Sequence, residues 1–278
     1  MKIKKILNNN AVIIMDKGEE KIAIGAGVAY EKGKNDTINP QKIEKLFTLK
    51  ENEKLYQLLE RIPEEHFILA EGIITYAEKQ LSTKLNDHIY LALSDHLSFA
   101  ISRHKQGLDV KNRLLHEIKI LYPAEFAIGT WAVQYINEKL TINLPMDEAA
   151  FIAMHLHTMK IKGGDLKDTI RQTSILKSMV DSIQEYLGIT MDENDLSYER
   201  LITHLRFALS RSKNDSSESM DEEMLTMIKR KFENSYRCAE KVNKELSEIH
   251  GIVLPDEELG YITLHIERIK NNSRRKTL

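Results

Sequence analysis

His96-Leu97-Ser98-Phe99-Ala100-Ile101-Ser102-Arg103 returns 108 residues later as His204-Leu205-Arg206-Phe207-Ala208-Leu209-Ser210-Arg211, with six of the eight residues identical. Two further matches follow in the same order. Leu115, Ile118, Lys119 and Tyr122 correspond to Leu225, Ile228, Lys229 and Phe232, and Leu144-Pro145, Glu148 and His155 correspond to Leu254-Pro255, Glu258 and His265, both at an offset of 110 residues. Three collinear matches at nearly constant spacing indicate tandem duplication of a domain of roughly 105 residues. The copies have helical periodicity. Leu69, Ile73, Tyr76 and Ala77 share a helix face, as do Leu55, Leu58 and Leu59. Pro63, Pro123, Pro145 and Pro255 sit where helices begin or end. Gly163-Gly164-Asp165 is the expected joint between copies, and Lys213 to Ser219 a polar loop inside the second.

Ahead of the repeats, residues 1–55 read as β structure. Ala11-Val12-Ile13-Ile14-Met15 is a β-branched run, Asp16-Lys17-Gly18-Glu19 has turn chemistry, and Lys21-Ile22-Ala23-Ile24 suits a half-buried strand. Val28-Ala29-Tyr30 and the segment from Lys42 to Phe47 complete about four antiparallel strands. So small a sheet has one thin apolar face and gains from pairing with a second copy, so a homodimer is expected. The fold expected is multidomain α+β: a small antiparallel β domain (1–55), then two homologous all-α helical bundles (56–171 and 172–278).

Composition excludes several classes. No stretch reaches the roughly 20 apolar residues of a membrane helix, and no secretory signal opens the chain, so a cytoplasmic protein is expected. The single cysteine, Cys238, excludes an internal disulfide framework and a Cys-rich zinc site. Net charge is −2, yet residues 1–55 carry 11 lysines against 8 acidic residues. A mildly basic head on an acidic body suits a local anion-binding face. No Gly-rich phosphate loop, nucleophile elbow or metal motif marks an enzyme, and no cofactor is implied.

Four of the ten histidines occupy equivalent places in the copies: His96 with His204, and His155 with His265. Each lies in an apolar segment, which leaves three readings open. They are hydrogen-bonded structural histidines, or metal ligands, or sites of phosphorylation. Two histidines per copy without an evident third ligand make a poor zinc site. A neutral imidazole is a nucleophile near neutral pH, and a phosphoryl group on it adds roughly two negative charges. Asp95 is placed to orient the His96 ring, and the second copy has Thr203 there.

The whole chain resembles the BglG/SacY family of transcriptional antiterminators, its sucrose-responsive branch especially. Met1-Lys2-Ile3 through Leu7-Asn8-Asn9-Asn10-Ala11, then Gly25-Ala26-Gly27-Val28-Ala29-Tyr30 and Ile43-Glu44-Lys45-Leu46-Phe47, resemble that family's RNA-binding domain. Ser94 to Ala100 and Thr203 to Phe207 resemble the first histidine motifs of its two regulation domains. Met154-His155-Leu156-His157 and Leu264-His265-Ile266-Glu267-Arg268 resemble the second. The resemblance implies a homodimer that binds an antiterminator hairpin in leader mRNA and keeps an overlapping terminator from forming. It implies phosphorylation of His96, His155, His204 and His265 by the sugar phosphotransferase system. The EIIB domain of a sugar-specific permease would inhibit through the first regulation domain, and the phosphocarrier HPr would activate through the second.

The RNA-binding candidates are Lys5, Asn8, Asn10, Gly25, Ala26, Gly27 and Tyr30. Lysine meets phosphates, asparagine donates to and accepts from base edges, glycine permits close backbone approach, and tyrosine stacks on an unpaired base. Ala26 departs from family members that carry Arg between the two glycines. A DNA-binding activator with the same regulation domains is the alternative. It needs a helix-turn-helix or similar reader, for which residues 1–55 are too short and too β-rich.

Overall fold

The structure, a computed structural model, describes residues 1–25, 27–48, 61–160, 165–212 and 220–276, with backbone alone for Asn8 and residues 273–276. It contains a four-stranded antiparallel sheet followed by ten α-helices among the described residues. Ala26, the helical reading of Leu55, Leu58 and Leu59, the Gly163-Gly164 part of the joint and the loop from Lys213 to Ser219 lie outside the described residues.

The strands are β1 (Lys2–Asn8), β2 (Ala11–Asp16), β3 (Glu19–Ile24) and β4 (Lys45–Thr48), hydrogen-bonded in sequence order. The β2–β3 hairpin closes at Asp16↔Glu19, with Lys17 and Gly18 both at positive φ, as a two-residue turn with the right-handed strand twist requires. Two expectations are corrected. Lys2–Asn8 supplies the first strand, and Val28-Ala29-Tyr30 is turn, because Gly27 at φ 61° and Glu31 at φ 54° reverse the chain on either side. The last strand begins only at Lys45, since Pro40–Lys42 forms one 3-10 turn.

Alternation gives the sheet two apolar faces. Val12, Ile14 and Ala23 pack with Ile3, Val28, Ala29 and Ile38, so the 25–43 connection covers one face. Ala11, Ile22, Ile24 and Phe47 point the other way and join the core of the first helices, among them Phe67 and Tyr90. The Phe47 and Tyr90 rings meet edge to face at 6.2 Å, and Lys45 Nζ lies 2.8 Å from Asp87 Oδ1. The thin sheet thus obtains its second layer from its own chain.

The helices are α1 (Glu64–Leu81), α2 (His88–Lys105), α3 (Leu115–Leu121), α4 (Pro123–Leu140) and α5 (Asp147–Lys160), then α6 (Leu166–Leu187), α7 (Leu196–Arg211), α8 (Glu222–Lys231), α9 (Glu233–His250) and α10 (Asp256–Lys276). Five helices in each copy match in order. Leu69, Ile73 and Ala77 are buried on α1, and Tyr76 stacks on Trp131 at 3.7 Å. Where α4 crosses α5, a Cβ at Gly129 would stand 2.2 Å from the Ala149 carbonyl oxygen, so only glycine lets the helix carrying His155 sit that close.

Two compact units result, one of residues 1–112 and 124–164, the other of 113–123 and 165–278. Helix α3, the first copy's counterpart of α8, therefore belongs to the second unit, where it packs on α6 and α7. Its Glu117 is buried and accepts a 2.6 Å hydrogen bond from the Tyr198 hydroxyl, while His116 Nε2 lies 2.7 Å from Glu193. Burial, then the Glu117 carboxylate, raises the Tyr198 pKa, so this phenol stays a donor.

Candidate functional site: a loop for RNA and two histidine pairs

Several RNA-binding candidates gather at one end of the sheet. Asn10 is buried in the β1–β2 turn, and its Oδ1 accepts a 2.6 Å hydrogen bond from the Gly27 N–H. The Gly25 N–H donates to the Asn10 carbonyl at 2.9 Å, and the Ala29 N–H to the Asn9 carbonyl at 2.8 Å. Asn10 therefore shapes the 25–30 loop. At Gly25 a Cβ would stand 1.9 Å from the Lys42 carbonyl oxygen, so the backbone that glycine admits here is the chain's own. Tyr30 is 61% exposed at the end of this loop, available for stacking. Lys5 is exposed on β1, paired in register with Ile13. Asn8, opposite Ala11, is placed by its backbone alone.

In the first unit α2 and α5 pack together and bring His96 to His155, with ring centroids 5.0 Å apart. The carboxylate at this pair is Glu148, about two helical turns before His155 on α5. Its Oε2 lies 3.1 Å from His96 Nε2, though not aligned as a hydrogen bond, and its Oε1 accepts from Arg103 Nη2 at 2.5 Å. Glu148 is 2% exposed. Asp95, expected to orient His96, is exposed on α2. The Nδ1 of His155 is buried without a hydrogen-bond partner among the described residues. Burial, with the His96 ring adding to it, pushes its pKa down to about 3. His155 is therefore neutral throughout the physiological range, as a nucleophilic imidazole must be. Phe151 lies 5.7 Å from His96, and His66 Nδ1 stands 3.2 Å from the Ser98 hydroxyl.

The second unit repeats the arrangement. His204 of α7 and His265 of α10 have ring centroids 4.0 Å apart, and Glu258 accepts from Arg211 Nη1 at 2.7 Å. Burial pushes the His265 pKa down to about 4, followed by the His204 ring, Arg268 and Arg200. His204 itself is exposed.

The fold thus brings all four repeated histidines together in pairs. Sequence reading missed the Arg103–Glu148 and Arg211–Glu258 ion pairs as parts of the sites. Their signal was present, since all four residues recur in both copies within the matched segments. His157 lies outside the pair. Its Nδ1 is 3.0 Å from Glu125 Oε1, in keeping with a spacing that turns it away from His155. No group of three or more His, Cys, Asp or Glu side chains suited to a metal occurs among the described residues.

Comparison with known proteins places family models along the chain. The family model described as CAT RNA binding domain matches residues 1–55, and that described as PRD domain matches residues 71–159 and again 177–269. The transcription antiterminator LicT of Bacillus subtilis (strain 168) is 38% identical over 274 residues, covering 97% of this chain and 99% of that protein. The beta-glucoside operon antiterminator of Dickeya chrysanthemi is 37% identical over 282 residues, 100% of this chain and 99% of that protein. A crystal structure of GlcT CAT-PRDI superimposes with a TM-score of 0.53 at 36% identity, over 58% of this chain and 98% of that one. With an RNA-binding sheet domain ahead of two regulation domains, each holding a histidine pair, the chain belongs to the BglG family of RNA-binding transcription antiterminators.

Proposed function

We propose that this antiterminator, acting as a homodimer, grips a leader mRNA hairpin through Lys5, Asn8, Asn10, the 25–27 segment and Tyr30. We further propose that phosphorylation of His96, His155, His204 and His265 switches that grip. The EIIB domain of a sugar permease serves as the inhibitory donor at the first pair, and the phosphocarrier HPr as the activating donor at the second. Its working compartment is the cytoplasm, where nascent mRNA meets both donors. Domains 1–55, 56–171 and 172–278 act as the functional units. The sucrose expectation for the inducing sugar stands as a proposal beside β-glucoside, the class in the name of the Dickeya relative.

The observation that carries this reading is the His96–His155 pair packed beside the buried Glu148 carboxylate. A phosphoryl group on His96 Nε2 would set about two negative charges against Glu148, whose Oε2 now lies 3.1 Å away. Like charges 4 Å apart repel by about 4 kcal/mol at an effective dielectric constant near 20. That repulsion works against the α2–α5 packing around the pair. The dimer reading is supported by Phe99 and Phe207, exposed at equivalent places one turn after His96 and His204. A surface organised around these phenylalanines would feel a charge added to the adjacent histidine.

The test uses the full chain and its own operon's leader hairpin at fixed salt, since phosphate contacts make RNA affinity steeply salt-dependent. Permease-dependent phosphorylation is expected to weaken hairpin binding and to shift the protein toward monomer. A variant with His96→Ala and His155→Ala should bind RNA and resist this inhibition. Hairpin affinity and dimer constant both unchanged in a sample phosphorylated on the first pair alone would refute the switch.

A further inference from the structure

The two histidine pairs differ in the charge around them. Helices α7 and α10 run antiparallel and in step. His204 meets His265, and seven residues along each helix the Asn272 side-chain amide donates to the Ser197 hydroxyl at 2.8 Å. Between these two levels lie Arg200, four residues before His204, and Arg268, three residues after His265. Positions three and four apart share a helix face, so both side chains flank the paired rings from the same end. Both arginines are exposed on their helices. Both also act electrostatically on the His265 ring. At the offsets of the duplication, the first copy has Ala92 and Thr158 at these places. Thr158 is buried, with its hydroxyl donating to the Met154 and His155 carbonyls, and its short side chain carries no charge.

We propose that Arg200 and Arg268 form a clamp for a phosphoryl group carried on the His204–His265 pair, a clamp that the first repeat lacks. The proposal rests on the phosphorylation reading and extends it to this chain's own arginines. A guanidinium presents planar, paired donors that match phosphoryl oxygens, and such charge-assisted bonds are about twice as strong as neutral ones. Two arginines on two helices would hold a dianion across the α7–α10 seam and tie the helices together. The same dianion in the first repeat faces Glu148 with Arg103 already bound to it. One modification would thus lock the second domain and loosen the first.

The experiment uses the full chain and phosphoramidate, a small donor that needs no docking surface. Its P–N bond breaks, a bond from the neutral ring nitrogen to phosphorus forms, and the leaving nitrogen departs as ammonia. His96→Ala with His155→Ala leaves the second pair alone to react, and His204→Ala with His265→Ala leaves the first. The readout is the phosphorus-31 shift of the phosphohistidine against pH, which follows the phosphoryl group's own second ionisation. Two nearby cations should lower that ionisation in the second repeat by about one unit or more relative to the first. Arg200→Gln with Arg268→Gln should abolish the difference, and Arg200→Lys with Arg268→Lys should retain most of it. Equal titration in the two repeats, or a titration unmoved by the glutamine variants, overturns the clamp. If those variants leave the titration unmoved but lose transfer from a protein donor, the arginines serve docking to an acidic partner and the clamp is again overturned. Phosphohistidine in the first repeat with none in the second removes the clamp and leaves first-repeat phosphorylation standing. None in either removes both.

Discussion

The two regulation domains build the same histidine pair and surround it differently. In the first, His96 meets His155 and sits against Glu148, and Arg103 is largely enclosed with it. In the second, His204 is exposed, Arg211 is more open, and Arg200 and Arg268 stand by. The difference extends one layer outward. Glu125 on α4 holds His157 and Lys160 of α5, whereas at the matching places Ser235 on α9 donates to Glu267 of α10, which also holds Lys270. The negative charge has moved from one helix to the other while the contact is kept. Duplication preserved the histidine pair and let its electrostatic surroundings diverge. Under the proposed switch, opposite responses of the two domains to phosphorylation would follow from this divergence.

The largest effect should come from removing the carboxylate. Glu148→Ala leaves the enclosed Arg103 uncompensated and should cost about 3–5 kcal/mol in denaturant unfolding. Glu258→Ala frees the better hydrated Arg211 and should cost about half of that. Equal losses would erase the distinction drawn between the two ion pairs.

A swap sharpens the outer layer. Ser235→Glu places a second carboxylate against Glu267 and should destabilise the second domain by about 1–3 kcal/mol. Adding Glu267→His should recover most of this by recreating the Glu125–His157 arrangement, and a double-mutant cycle measures the coupling. Additive changes would show that the contact was not transferred between helices.

One pH effect belongs to Glu71 in the first unit. Burial, with Glu44 adding to it, raises the Glu71 pKa to about 7. Folded protein then holds this proton more tightly than unfolded chain. Stability from this group is full below pH 4.5 and is lost as pH rises through 7. Glu71→Gln should therefore stabilise at pH 8, by about 1–3 kcal/mol, and change little at pH 4. A flat difference between the two pH values would contradict the burial argument.

The smallest effect concerns the arginines without any phosphate. Arg200→Gln with Arg268→Gln removes cations that depress His265, so its pKa should rise by roughly half a unit from about 4 while His155 stays near 3. Imidazole nitrogen chemical shifts followed through the acid range read both rings at once. A His265 titration that does not move would place the arginines too far from the ring to serve it.

Much of this was legible beforehand because duplication writes the sequence twice. The histidines, the helical repeats and the small β domain all followed from matched segments and from the resemblance they carried. Strand β1 was missed because its lysines mask the alternation that buries Ile3, and register shifts after Ile3 and Ile6 blur it further. Val28-Ala29-Tyr30 has strand-forming residue types, yet positive φ at Gly27 and Glu31 makes a turn of it. Helix α3 has the sequence of a first-copy element, but Glu117 finds its partners, Tyr198 and Lys177, in the second unit. Residue periodicity specifies which face is apolar and not which neighbour covers it. Glu148, matched between the copies, was not linked to His96 for a related reason. It reaches His96 from a helix some fifty residues on, while Asp95 is adjacent in sequence and faces solvent.

The most direct test of the central claim is the affinity of the full chain for its leader hairpin, measured at one salt concentration before and after phosphorylation of His96 and His155. The expected result is tight, sequence-selective binding by the unmodified protein, weakened at least about tenfold, or roughly 1.4 kcal/mol, once the first pair carries phosphate. Equal affinity in both states would contradict a histidine switch acting on the RNA-binding domain.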